Sequence, residues 1–120
     1  MIKHLSSDAY NETASENALE LAITEYVARN GGKCWHARDS RGQNLKGMLD
    51  LHIVLPPTVM DVELKSQKRV VTTEQQETLA LLARCSEFAY AVVRPSPKPG
   101  EVTLDELFAY FDRAIAERRR

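Results

Sequence analysis

The chain has 120 residues, of which 43% are hydrophobic and 28% charged, and its formal net charge is −1. That make-up predicts one soluble domain able to bury a sizeable core, and it excludes a global electrostatic pull toward nucleic acid or an anionic membrane; a nucleic-acid partner would need a local basic patch. Cys34 and Cys85 match no zinc spacing and read as reduced, buried small hydrophobes, and no signal peptide or membrane span is visible, so a cytoplasmic protein without a membrane partner is expected.

Residues 1–12 are polar and read as a flexible lead-in to a domain covering 13–120. Thr13-Ala-Ser-Glu16 has the form of a capping box. Leu19, Ala22, Ile23, Tyr26 and Val27 then make one face of a helix that stops at Asn30-Gly31-Gly32. Glu16 and Glu20 fall on or beside that apolar stripe, where a carboxylate must find a partner or shift its pKa. For Glu16 the capping position is an equally good account. Residues 33–38 read as a strand and 39–46 as a polar loop. Arg29, Lys33, Arg38, Arg41 and Lys46 make this region basic, either as a phosphate-contacting surface or as an ordinary solvated one.

Residues 47–65 organise the rest. They read as two strands joined at Pro56-Pro57, each alternating with a period of two. Leu49, Leu51, Ile53 and Leu55 share one face, as do Met60, Val62 and Leu64. Asp50, His52 and Val54 share the other with Val59, Asp61, Glu63 and Lys65. A hairpin centred between the prolines sets Asp50 opposite Glu63, with Cβ atoms about 4.5–5.5 Å apart. Double proline is not a favoured hairpin turn, and a bulge would break this register. Opposed carboxylates repel; Lys65 supplies part of the charge they need, and a divalent cation with hard oxygen ligands would supply the rest. Taken bare, the pattern also fits a solvated strand face. His52 is either a substrate contact or a satisfied sheet histidine.

Lys68 and Arg69 form a second basic stretch. Thr72-Thr-Glu-Gln75 again has capping-box form, opening a helix that turns Leu79, Leu82 and Ala83 inward and ends near Ser86. Gln75 is either the capping residue or a polar group set beside the carboxylates. The apolar run 88–94 predicts a central buried strand. After a proline-rich loop, Thr103-Leu-Asp-Glu106 caps a last helix with Leu107, Phe108, Phe111 and Ile115 inward. Arg118 to Arg120 suit its negative end. The order α-β-β-β-α-β-α predicts a small α/β domain around a mixed sheet flanked by helices.

Ser15-Glu16-x-x-Leu19-x-x-Ala22-Ile23, Gly47-x-x-Asp50, Val62-Glu63-Leu64-Lys65, Thr73-Glu74-Gln75 and Ala91-Val-Val-Arg94 occur in this order over residues 15–94. In these residues the chain resembles the VRR-NUC branch of the PD-(D/E)xK nucleases, and within it the small stand-alone phage-type members. Two positions depart from that pattern: Leu49 stands where the family has proline, and Glu20 where it often has glutamine. The resemblance implies a restriction-endonuclease-like fold and a metal-dependent endonuclease acting on DNA, with branched or flapped structures as substrates and a homodimer as the working unit. It implies Mg²⁺ or Mn²⁺ held by Asp50, Glu63, the Leu64 backbone carbonyl and Glu16 or Glu20. Lys65 would orient the attacking water and stabilise developing charge, and Gln75 would orient Lys65 or the phosphate. Arg38, Arg41, Lys46, Lys68 and Arg69 are the candidate nucleic-acid contacts. The alternative is a nucleic-acid-binding module that keeps the fold without the reaction.

Overall fold

A computed structural model describes residues 15–36, 49–85 and 89–119. The elements are α1 (Glu16–Arg29), β1 (Lys33–His36), β2 (Leu51–Leu55), β3 (Thr58–Leu64), α2 (Thr73–Leu82), β4 (Ala89–Val93) and α3 (Leu104–Arg118). The strands form one mixed sheet in the order β1-β2-β3-β4. The first three pair antiparallel, and β4 runs parallel to β3. Only that last pairing requires a crossover, and α2 provides it.

The period-two alternation of the hairpin sets the layers. Leu51, Ile53, Leu55, Met60, Val62 and Leu64 are buried on one face. There they meet Leu19, Ile23, Tyr26 and Val27 of α1 and Leu104, Leu107, Phe108 and Phe111 of α3 in a single core. Each such side chain contributes about 1.5–3 kcal/mol when fully buried. Tyr26 stacks on Phe108 with ring centroids 4.2 Å apart. Its hydroxyl donates to the Asp112 carboxylate, and burial together with that carboxylate holds the phenol well above its usual pKa.

The turn that ends α1 uses glycine for two distinct reasons. Gly31 adopts φ of 86°, where a side chain would be strained. At Gly32 a Cβ would lie 2.5 Å from the Val54 carbonyl oxygen, so the chain passes β2 at backbone contact. Between β2 and β3, Pro56-Pro57 forms a two-residue turn with a cis peptide bond, and Leu55 pairs with Thr58.

Several sequence expectations are corrected. The first helix is capped by Ser15, whose Oγ accepts from the Ala18 amide at 3.1 Å. Glu16 is therefore the first helical residue and not the third of a capping box. Thr13 lies outside the described residues, as do the 1–12 lead-in, residues 37 and 38 of the first predicted strand, and the 39–46 loop. Helix α2 ends at Leu82, short of Ser86, which is also outside them. None of its side chains is fully buried: Leu79 and Leu82 are half-buried, Ala83 is exposed, and Leu81 is 62% exposed. Its main contact with the sheet is at β4, so it covers one margin of a face and has no core of its own to fill.

Strand β4 is an edge strand, not a central one. Its apolar run reflects helices on both faces, with α2 and α3 each packing on it. An apolar run signals two covered faces, which is not the same as two paired edges. The outer edge of its C-terminal half is closed by Val102, which exchanges backbone hydrogen bonds with Val92 and Arg94. Cys34 is half-buried and Cys85 exposed, both as free thiols; burial, helped by the Glu20 charge, pushes the Cys34 thiol up to about 11. No described helix is long and apolar enough to cross a membrane.

Candidate active site

The register of the hairpin builds the site. Leu51 pairs with Val62, and one step further Asp50 meets Glu63. The Asp50 amide donates to Glu63 Oε1 at 3.2 Å, and the Leu64 amide donates to Asp50 Oδ2 at 2.8 Å. Each carboxyl group thus accepts from the other's strand, which locks the two acids together where β2 begins and β3 ends. Strand periodicity then puts Lys65 on the Glu63 face. The Lys65 amide continues the parallel ladder by donating to the Val93 carbonyl at 3.0 Å.

Glu63 is 1% exposed and Lys65 2% exposed, which is rare for either residue unless it is paired. Lys65 Nζ lies 3.0 Å from Glu63 Oε2. Burial first, and then the neighbouring Asp50 charge, push the Glu63 carboxyl up to about 7; Lys65 opposes the shift, and a hydrogen bond to the Asp50 side chain adds to it. One lysine does not offset the burial of Glu63 and the charge of a second acid beside it.

Gln75 fills both roles that its position offers, through different atoms. Its Oε1 accepts from the Thr72 amide at 3.0 Å, and its own amide donates to Thr72 Oγ1 at 3.2 Å, completing a capping box. Its Nε2 donates to Glu63 Oε2 at 2.5 Å. The start of α2 is thereby tied to the acidic pair.

The two helix carboxylates diverge. Glu16 Oε2 accepts from the Ser66 amide at 3.4 Å and lies 3.9 Å from Arg69 Nε, beside the residue that follows Lys65. Glu20 turns to β1, with His36 Nε2 at 2.5 Å. Of the predicted basic contacts, Lys68 and Arg69 are exposed, and Arg69 is the one beside Glu16. Arg38, Arg41 and Lys46 lie outside the described residues. His52 is satisfied within the sheet, its Nδ1 2.6 Å from Asp61 Oδ1.

In the sequence Arg94 shows no task beyond ending an apolar strand. It is 1% exposed, with its Nε and Nη2 forked on Glu101 at 2.6 and 3.1 Å. Its Nη1 donates to the carbonyls of Ser66, Gln67 and Arg69 at 3.0, 3.4 and 2.5 Å. Burial raises the Glu101 pKa, but hydrogen bonds from Arg94 and the Lys98 amide outweigh it and hold the carboxyl below its usual range. Arg94 therefore fixes the loop after Lys65, including the amide that Glu16 accepts from. An arginine ending an apolar strand, with a glutamate seven residues on, was the available signal.

Among the described residues, no three His, Cys, Asp or Glu side chains gather as a metal site by themselves. The donors do suit a hard cation in one respect: Asp50 and Glu63 are two oxygen ligands whose mutual repulsion a divalent ion would relieve. Mg²⁺ is commonly held by one or two carboxylates, with water and substrate phosphate completing the shell. Leu64 has its amide on Asp50, and its carbonyl projects to the same side of β3. In comparisons with known proteins, no family model, no curated protein and no solved structure matches the chain.

Proposed function

We propose that the chain is a divalent-metal-dependent endonuclease hydrolysing DNA, of the VRR-NUC type with a restriction-endonuclease-like fold, acting on branched or flapped substrates. The observation that carries this is the Asp50–Glu63 pair, a half-buried and a fully buried acid, with Lys65 and Gln75 converging on Glu63. Asp50, Glu63, the Leu64 carbonyl and, through water, Glu16 would hold Mg²⁺ or Mn²⁺, which when bound polarises a phosphate and lowers the pKa of water. Lys65 is a fixed cation beside the acids, placed to orient the attacking water and to stabilise charge developing on the phosphate. Gln75 holds Glu63 in place. Lys68 and Arg69, with Arg38, Arg41 and Lys46 of the preceding loop, would neutralise backbone phosphates. A homodimer would match the two-fold symmetry of a four-way junction.

One observation favours the second reading, a binding module without the reaction. Both Glu63 oxygens are already occupied by protein donors: Oε1 by the Asp50 amide, and Oε2 by Lys65 and Gln75. A cleavage assay on end-labelled four-way junction, flap, duplex and single-stranded DNA, with Mg²⁺ or Mn²⁺ and beside Glu63→Gln, separates the two. Metal-dependent cutting that the variant loses supports the nuclease. Binding without cutting in both proteins supports the module.

A further inference from the structure

On the sheet face opposite the core, one row of side chains crosses all four strands. Trp35 pairs with His52, His52 with Asp61, and Asp61 with Tyr90. Paired residues project to the same side of a sheet. The Trp35 and His52 rings are 6.0 Å apart, and His52 is bonded to Asp61. Trp35 is 44% exposed and Tyr90 38%. The row spans three strand spacings, about 14 Å. Asp50 and Glu63 occupy the next row on this face, two residues along β2 and β3, or roughly 7 Å away.

Two large rings left in water beside a cluster of acids and a lysine need an occupant that suits both. The His52–Asp61 pair sits between the rings, so the row is not a continuous apolar patch of the kind another protein would bury. Lys33, whose Nζ is 5.1 Å from the Trp35 ring centre, places a cation where a polyanion's backbone would pass. Unpaired bases offer flat π faces together with a phosphate chain, and exposed rings on a four-stranded sheet stack two or three of them. A duplex keeps those base faces covered. We infer that the Trp35–His52–Asp61–Tyr90 row is a stacking platform for single-stranded DNA; on the nuclease reading, it leads the unpaired strand of a flap or branch to Asp50 and Glu63.

Trp35 is the sole tryptophan, so its emission reports this face directly. The full chain in EDTA, which prevents metal-dependent cutting, is titrated with a single-stranded oligothymidylate and with a blunt duplex of equal length. The platform predicts quenching by the single strand at concentrations where the duplex has little effect. It also predicts about fivefold or greater weakening in Tyr90→Ala, with affinity kept in Tyr90→Phe. Unchanged emission with the single strand overturns the platform, and flap cleavage in Mg²⁺ by the same preparation then leaves the nuclease reading standing. Quenching without any cleavage keeps the platform and removes the nuclease. Equal quenching by duplex, or emission that shifts with protein concentration alone, overturns the platform by showing a duplex surface or a face covered by a second copy.

Discussion

Replacing Arg94 separates two kinds of anchoring that one side chain performs. Its guanidinium makes two bonds to Glu101 and three to the carbonyls of Ser66, Gln67 and Arg69, with 1% of the residue exposed. Arg94→Met strands the Glu101 carboxylate and removes all three carbonyl contacts, whereas Glu101→Gln removes one charge and leaves those contacts in place. Breaking a buried ion pair from one side costs about 3–5 kcal/mol. Arg94→Met belongs at the top of that range, at about 5 kcal/mol. Glu101→Gln keeps a hydrogen-bonding amide and belongs lower, at about 2 kcal/mol. With each kcal/mol moving Tm by about 4 °C in a domain of this size, the losses are about 20 and 8 °C. Urea unfolding followed by far-ultraviolet circular dichroism gives both free energies. Equal losses, or an Arg94→Met loss under about 1 kcal/mol, would refute the carbonyl anchoring.

Three further outcomes are expected. On the nuclease reading, Glu63→Gln abolishes cleavage while melting close to the unaltered protein at pH 5.5, and Lys65→Ala lowers cleavage by about 10²–10³-fold and also melts lower, because it leaves the buried Glu63 without its cation; parallel activity and melting measurements test both. In EDTA, Glu63 makes stability fall as pH rises, since its folded pKa of about 7 exceeds the unfolded value and the folded state binds the extra proton in between. The contribution is complete below about pH 4.5 and is lost as pH rises through about 7; melting at pH 5.5 and pH 8 should show a downward step that Glu63→Gln lacks and that Mg²⁺ or Mn²⁺ reduces at pH 8. Thr72→Ala, which removes only the helix cap, costs about 1 kcal/mol with activity largely kept. Gln75→Ala loses stability and activity together, and equal activities in these two variants would contradict a role for Gln75 at Glu63.

The hairpin was readable from sequence because two constraints coincide there. Alternation fixes which residues share a face, and a turn centred on Pro56-Pro57 fixes which residues oppose, so Asp50 fell beside Glu63. Side chains whose role depends on distant elements were less readable. Leu79 and Leu82 have helical spacing, yet α2 has only the margin of a sheet to pack on and leaves them half-buried. Ser15 and Thr13 are equally good caps by composition, and only the reach of Ser15 Oγ to the Ala18 amide decides between residues two positions apart. The task of Arg94 needs the loop after β3 folded back on it. The Trp35 row needs the register of all four strands, including a parallel pairing that no local pattern announces.

The double use of Gln75 also bears on motion. Helix α2 has no fully buried side chain, so its amides should exchange with solvent through openings far smaller than global unfolding. Each opening that frays the first turn removes a donor from Glu63 and admits water to an otherwise sealed carboxyl. Local opening of α2 would then expose Glu63 while the sheet beneath stays intact. Deuterium uptake at the start of α2 becomes a readout of site occupancy: whatever settles on Glu63 in place of that amide changes how often the helix lets go.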